Sequence, residues 1–284
     1  MTLDYTLLSV ATGCAVLGVT SGTLGAYAVL RRQALLADAL AHATLPGVVI
    51  AFLLTGERND LLLWLGGGGA AVAAAAGIRA LRQTTKWDSG TILATVLTVF
   101  FGIGVLLLTV ANRMPSAGKA GLDQLLFGQA AGLTLDQVSG MAILGGAALL
   151  IAALFHKELA VLTFDPTYAE TVGWKERTLG WLITALLVAA IIVGLRAVGV
   201  VLTSALAVAP TLAARPWVRS LPALLVLAGL VGGLSGVLGA VSAAAAPGIP
   251  TGPVVVLGLG VAVLFSLLFG RQRGLLVRRM RRTV

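Results

Sequence analysis

Cysteine is nearly absent from this chain. Cys14 is the only one, so neither an intrachain disulfide nor a multi-cysteine metal cluster can form. Charge is almost as scarce: 11% of the 284 residues are charged against 58% hydrophobic, and the mean hydropathy is +1.00. That balance excludes a water-soluble globule and leaves no place for a separate soluble domain. A phosphate-binding loop is also missing, because the Gly66–Gly69 run lacks the Gly-Lys-Ser/Thr ending and lies within a hydrophobic stretch. Any ATP that drives this protein must therefore bind another subunit. Met1 to Thr6 carries no positive charge and the apolar run behind it is longer than a signal-peptide core, which predicts a retained spanning helix. No solenoid-type repeat appears.

What is abundant is hydrophobic sequence in runs close to the 20 residues that a 30 Å hydrocarbon core requires of a helix. The expectation is an all-α polytopic membrane protein with eight or nine transmembrane helices, near 7–30, 35–54, 61–79, 91–111, 138–155, 178–195, 200–214, 221–243 and 253–270. Residues 1–270 then form one transmembrane domain and 271–284 a basic tail. The run 200–214 is short and contains Pro210, so a kinked, broken or re-entrant helix stays open there. The 36 glycines suit helices that approach closely in lipid.

A net charge of +9 raises the question of nucleic acid, but the positions of the basic residues answer it in favour of topology. With nine crossings and a cytoplasmic Arg-rich tail, 16 of the 20 Lys and Arg residues fall on the cytoplasmic side. Only Arg58, Arg113, Lys119 and Arg196 fall outside. This is the positive-inside asymmetry; it predicts a multi-pass protein of the bacterial cytoplasmic membrane with its N-terminus outside and its C-terminus inside.

Two ionisable residues interrupt an apolar run. Asp38 and His42 stand four apart in Leu35–Gly47, and that spacing puts carboxylate and imidazole on one helical face. An Asp near the middle of a spanning helix costs roughly 2.5–3.5 kcal/mol on insertion scales, and such residues face a bundle interior or a polar pathway. Carboxylate plus imidazole suits divalent zinc, manganese or iron rather than calcium or magnesium. A structural alternative remains: Asp38 pairing with Arg31 or Arg32, and His42 as a hydrogen-bonded core residue using the carbonyl freed by Pro46. His156, beside Lys157 and Glu158 at the end of a span, reads as an interfacial residue with no metal role.

The longest inner connection, His156–Arg177, contains Phe164-Asp165-Pro166. Asp as N-cap and Pro at the first helical position predict a short helix that Gly173 stops one to two turns later. Phe164, Tyr168 and Trp174 would be its anchors on a partner protein, or it would lie at the membrane surface.

Arg31-Arg32 through Asp38-x-x-x-His42-x-x-x-Pro46-Gly47, then Phe164-Asp165-Pro166 through Gly173, then Ala197–Leu202 through Ala209–Arg215 resemble, in order and across nearly the whole chain, the membrane permease of ABC importers for zinc, manganese or iron. The turn Pro247–Pro253 also looks like that family's last outer loop, although Ala243–Ala246 replace its usual aromatic residues. The resemblance implies a homodimeric pore without enzymatic activity of its own or a tightly bound cofactor. It further implies two ATP-binding subunits on the cytoplasmic side and an extracytoplasmic metal-binding protein. On that resemblance Asp38 and His42 contact the transported metal, and Phe164, Asp165, Pro166, Tyr168, Ala169, Glu170 and Gly173 couple the permease to the ATPase. A proton-coupled secondary metal transporter is the alternative, since the same pair would serve a proton relay.

Overall fold

The structure, a computed structural model, describes residues 2–56, 59–113, 128, 132–245 and 250–271, with the side chains of residues 2–4, Arg196 and Val201 excepted. Most of the basic tail, the outer-turn residues 247–249, Arg58 and Lys119 lie outside the described residues. What is described is helical: α1 Thr2–Leu30, α2 Ala34–Thr55, α3 Asp60–Thr84, α4 Ser89–Arg113, α5 Leu135–Leu154, α6 His156–Phe164, α7 Pro166–Thr171, α8 Glu176–Ala197, α9 Val200–Ala214, α10 Leu221–Ala245 and α11 Thr251–Phe269. Eight of these are long and apolar enough to cross a membrane. Their ends fall a few residues from those expected of the apolar runs; at α3 and α5 a side-chain cap sets the start, Asn59 accepting the Leu61 amide and Thr134 the Gln137 amide.

Helix α1 is the hub, packed against α5, α8, α9 and α10. Its small residues set that closeness: Gly18 and Gly22 lie against the backbones of Gly232 and Ala228 on α10, and Cys14 lies against Gly236. Paired positions give each helix its direction. α10 runs against α1, α5 runs with it (Gly13 beside Val138, Thr20 beside Gly145), and α4 runs with α2 (Leu45 beside Gly104). α9 crosses α1 closely, with Gly22 beside Pro210 and Gly25 against the Ala207 backbone. It runs with α11, with Gly252 beside Leu202 and the Ser266 hydroxyl donating to the Ala213 carbonyl. The short 200–214 run is thus a continuous helix through Pro210, laid like its neighbours and tied to α1 by Thr211 Oγ1 donating to Gly22 O at 3.4 Å. Successive long helices alternate, so the start of α1 and the end of α11 lie on opposite faces. One face gathers Arg31, Arg79, Arg82, Lys157, Lys175, Arg215 and Arg219; Arg113 and Arg196 are the described basic residues at the other.

The inner connection holds more structure than its sequence suggests. α6 precedes the expected short helix and buries Leu159, Leu162 and Thr163, an i, i+3, i+4 stripe against α1 and α8. Trp174 departs from expectation: it packs against the cluster of Leu159, Leu162, Ala169 and Leu179, and so anchors the connection to its own protein rather than to a partner.

Candidate metal site

α2 is the most buried of the long helices, with 72% of its apolar window inside the protein. Asp38 and His42 are the ionisable residues on it, and the predicted shared face is observed: Asp38 Oδ1 lies 3.6 Å from His42 Nε2. Asp38 is not near the middle of the span. It is the fifth residue of α2, about 6 Å of helical rise from Ala34, and His42 lies another turn in, so the insertion cost of a mid-membrane carboxylate is reduced. Side-chain exposure is 39% for Asp38 and 15% for His42, which leaves one open side at the pair.

The arginine alternative does not hold in this arrangement. Arg31 turns to Glu176 at the start of α8, 3.7 Å away, and the side chain beside Asp38 is His42. Nor is His42 a satisfied core histidine: its Nδ1 is buried with no hydrogen-bond partner. The ring is held by Phe101 of α4, edge to face with centroids 4.9 Å apart. A buried nitrogen left unpaired costs roughly 1–3 kcal/mol, and an orphan of this kind calls for a partner from outside the fold. Among the described residues no group of three or more His, Cys, Asp or Glu side chains converges. The described residues therefore offer a divalent cation two such donors at this place, fewer than the four of a closed zinc site. Phe101 is the part of this site that the sequence did not signal, because only the packing of α4 on α2 brings it to the pair.

The seven residues expected to couple to an ATPase lie together at the basic face. Asp165 caps α7, accepting the Tyr168 amide at 2.9 Å, and Pro166 opens the helix. Gly173 adopts φ +91°, a left-handed stop that a side chain would strain. Ala169 is fully buried, while Phe164, Tyr168 and Glu170 are exposed. Asp165, Pro166 and Gly173 are exposed as well, so six of the seven present a surface and Ala169 alone among them is buried. His156, expected at the interface, sits half-buried with Nδ1 3.5 Å from the Tyr27 hydroxyl, joining α6 to α1.

This geometry has relatives. The zinc transport system membrane protein TroC of Treponema pallidum is 44% identical over 279 residues, covering 98% of this chain and 94% of that protein. The manganese transport system membrane protein MntC of Bacillus subtilis is 36% identical over 269 residues, covering 95% of this chain and 62% of its own length. Among solved structures, a chain of PsaBC from Streptococcus pneumoniae superposes with a TM-score of 0.86 at 24% identity, over 99% of this chain and 96% of that one, and it shares the fold. Residues 4–270 match the ABC 3 transport family, and with that coverage the chain belongs to this family of membrane transport proteins.

Proposed function

We propose that this chain is the permease subunit of an ATP-driven importer of divalent transition metal ions, zinc or manganese, working as a homodimer in the bacterial cytoplasmic membrane. Two ATP-binding subunits sit beneath it at the basic face, and an extracytoplasmic metal-binding protein delivers to the opposite face. The observation that carries this is the Asp38–His42 pair: two metal-type donors 3.6 Å apart on the most buried helix, one with an unpartnered buried nitrogen. The relatives named for zinc and manganese support the substrate class.

Asp38 supplies charge and His42 favours borderline metals over calcium and magnesium. Two donors per chain make an incomplete site, which suits conduction, since a permeation site must replace enough hydration to admit an ion and still release it. A second copy brings the set to two carboxylates and two imidazoles. At the basic face, exposed Phe164 and Tyr168 with Glu170 form the handle by which an ATPase moves the pore. The test is uptake of radiolabelled zinc and manganese by cells carrying this permease with its ATPase and binding protein, for wild type, Asp38→Ala and His42→Ala. Variants that assemble normally with the ATPase and lose uptake of one metal support the assignment and name the substrate. Unchanged uptake in both variants overturns it.

A further inference from the structure

A cavity of about 260 Å³ opens at the basic face, between the α1–α2 link, the end of α3 and the start of α8. It is not lined by Asp38 or His42. Its charged walls are Arg31, Arg79, Arg82 and Glu176, and the indole of Trp181 lines it beside them. Three cations thus face one carboxylate. Each guanidinium has a neighbour: Arg31 pairs with Glu176 at 3.7 Å, Arg79 lies over the Trp181 ring at 5.9 Å, and Arg82 donates to Ser89 Oγ at 2.9 Å. Burial holds the Arg31 guanidinium below its ordinary range, Glu176 opposes this, and the charge of Arg82 adds to it.

Three arginines held around one hollow repel one another, and a single carboxylate leaves the excess uncompensated. Such a hollow is hostile to a metal cation, so it is not the cargo's route. It suits a tetrahedral oxyanion, whose oxygens accept charge-assisted hydrogen bonds from several guanidinium forks at once. We propose that this cavity is a phosphate-group site, occupied by the headgroup of an anionic phospholipid or by a free phosphate. Its place at the ends of spanning helices puts it at headgroup depth, and the Trp181 wall provides an apolar flank beside the charged centre. The site depends on the chain spanning a membrane and not on the metal assignment.

The test uses the purified full-length chain in detergent micelles, titrated by microscale thermophoresis with dioctanoyl phosphatidylglycerol, dioctanoyl phosphatidylcholine and inorganic phosphate. Saturable binding of phosphatidylglycerol, tighter than that of phosphatidylcholine, supports the site with a lipid source. Inorganic phosphate binding as tightly as the lipid supports it with an aqueous source. The variants carry opposite signs. Arg79→Gln with Arg82→Gln removes two charge-assisted contacts and weakens binding by roughly tenfold or more. Glu176→Gln removes the competing carboxylate and tightens binding several-fold, a gain that misfolding does not produce. Lys157→Gln, elsewhere on the same face, leaves affinity unchanged. Absence of saturable binding by either phosphate probe overturns the proposal, as does Glu176→Gln binding no more tightly than wild type.

Discussion

Gly18 and Gly232 face each other where α1 crosses α10, and each would drive a methyl group into the other's backbone. A Cβ at either position lies 2.1 Å from the opposite carbonyl oxygen, and reaching even 3.0 Å requires the helices to part by about 0.9 Å. A gap of that size forfeits roughly a quarter to a half of each neighbouring van der Waals contact. Forcing extra volume into a tight seam costs about 1–3 kcal/mol, so Gly18→Ala and Gly232→Ala are each expected to destabilise the fold by ~2 kcal/mol. The double variant isolates the cause. One separation makes room for both methyl groups, so the pair costs less than the sum, with a coupling of about 1 kcal/mol. Gly77→Ala on α3 is the control: nothing lies within 4 Å of a Cβ there, and alanine favours the helix. The assay is equilibrium unfolding of the full chain in mixed micelles under a graded denaturing detergent. A single variant as stable as wild type refutes the close approach, and a double variant additive within roughly 0.3–0.5 kcal/mol refutes the shared separation.

Four further outcomes are expected. Tyr168→Ala and Phe164→Ala, both at exposed positions, abolish copurification of the ATPase while leaving the permease folded, whereas loss of folding would place these side chains in the core instead. Asp165→Ala removes the N-cap of α7 and costs about 1 kcal/mol locally, read as faster amide exchange at Tyr168; unchanged exchange would show that the cap bond is idle. Asp88 accepts from the Thr91 hydroxyl and amide, which hold its carboxyl below the ordinary 3.8, so its contribution to the start of α4 is present above that value and lost as pH falls through the lowered one. Carboxylate-carbon NMR should give a midpoint below 3.8 that rises in Thr91→Val, and an unmoved midpoint refutes the cause. If two copies share one metal, zinc binding measured by calorimetry on the assembled permease saturates at one ion per two chains, and saturation at one per chain would mean that water completes each pair.

The fold was legible where local chemistry decides it. Long apolar runs, Asp165-Pro166 at a helix start and Gly173 at its stop each carry their structural meaning in a few adjacent residues. α6 was missed because Lys157, Glu158 and Thr163 dilute its stripe of Leu159 and Leu162, so nine residues of helix read as connection. Trp174 looks available to a partner or to the membrane surface because it is an aromatic in a polar stretch; only the packing of α6 and α8 shows that it is used internally. The same limit applies at the Asp38–His42 pair. Its spacing on α2 follows from helical periodicity, but Phe101 stands 59 residues from His42 and reaches it only through the α2–α4 contact. The cavity's charged groups come from three separate segments, Arg31 from the α1–α2 link, Arg79 and Arg82 from α3 and Glu176 from α8, whose convergence no local pattern encodes.

The pair and the cavity bear on each other through charge. Leu36 lines the cavity two residues before Asp38, which puts both on the first turns of α2. At a separation of about 10 Å two unit charges interact by roughly 1.7 kcal/mol at an effective dielectric of 20. A cation leaving Asp38 toward the basic face moves from an attractive carboxylate into the field of three guanidiniums, only one of which Glu176 offsets. Each uncompensated arginine opposes release by less than the attraction of a directly bound carboxylate, because the Coulomb term falls with distance. An anion seated among the arginines cancels that opposition without weakening the donors that select the metal. On the proposed function, selection and release then fall to different residues: Asp38 and His42 set which ion enters, and the charge state of the cavity sets how readily it departs.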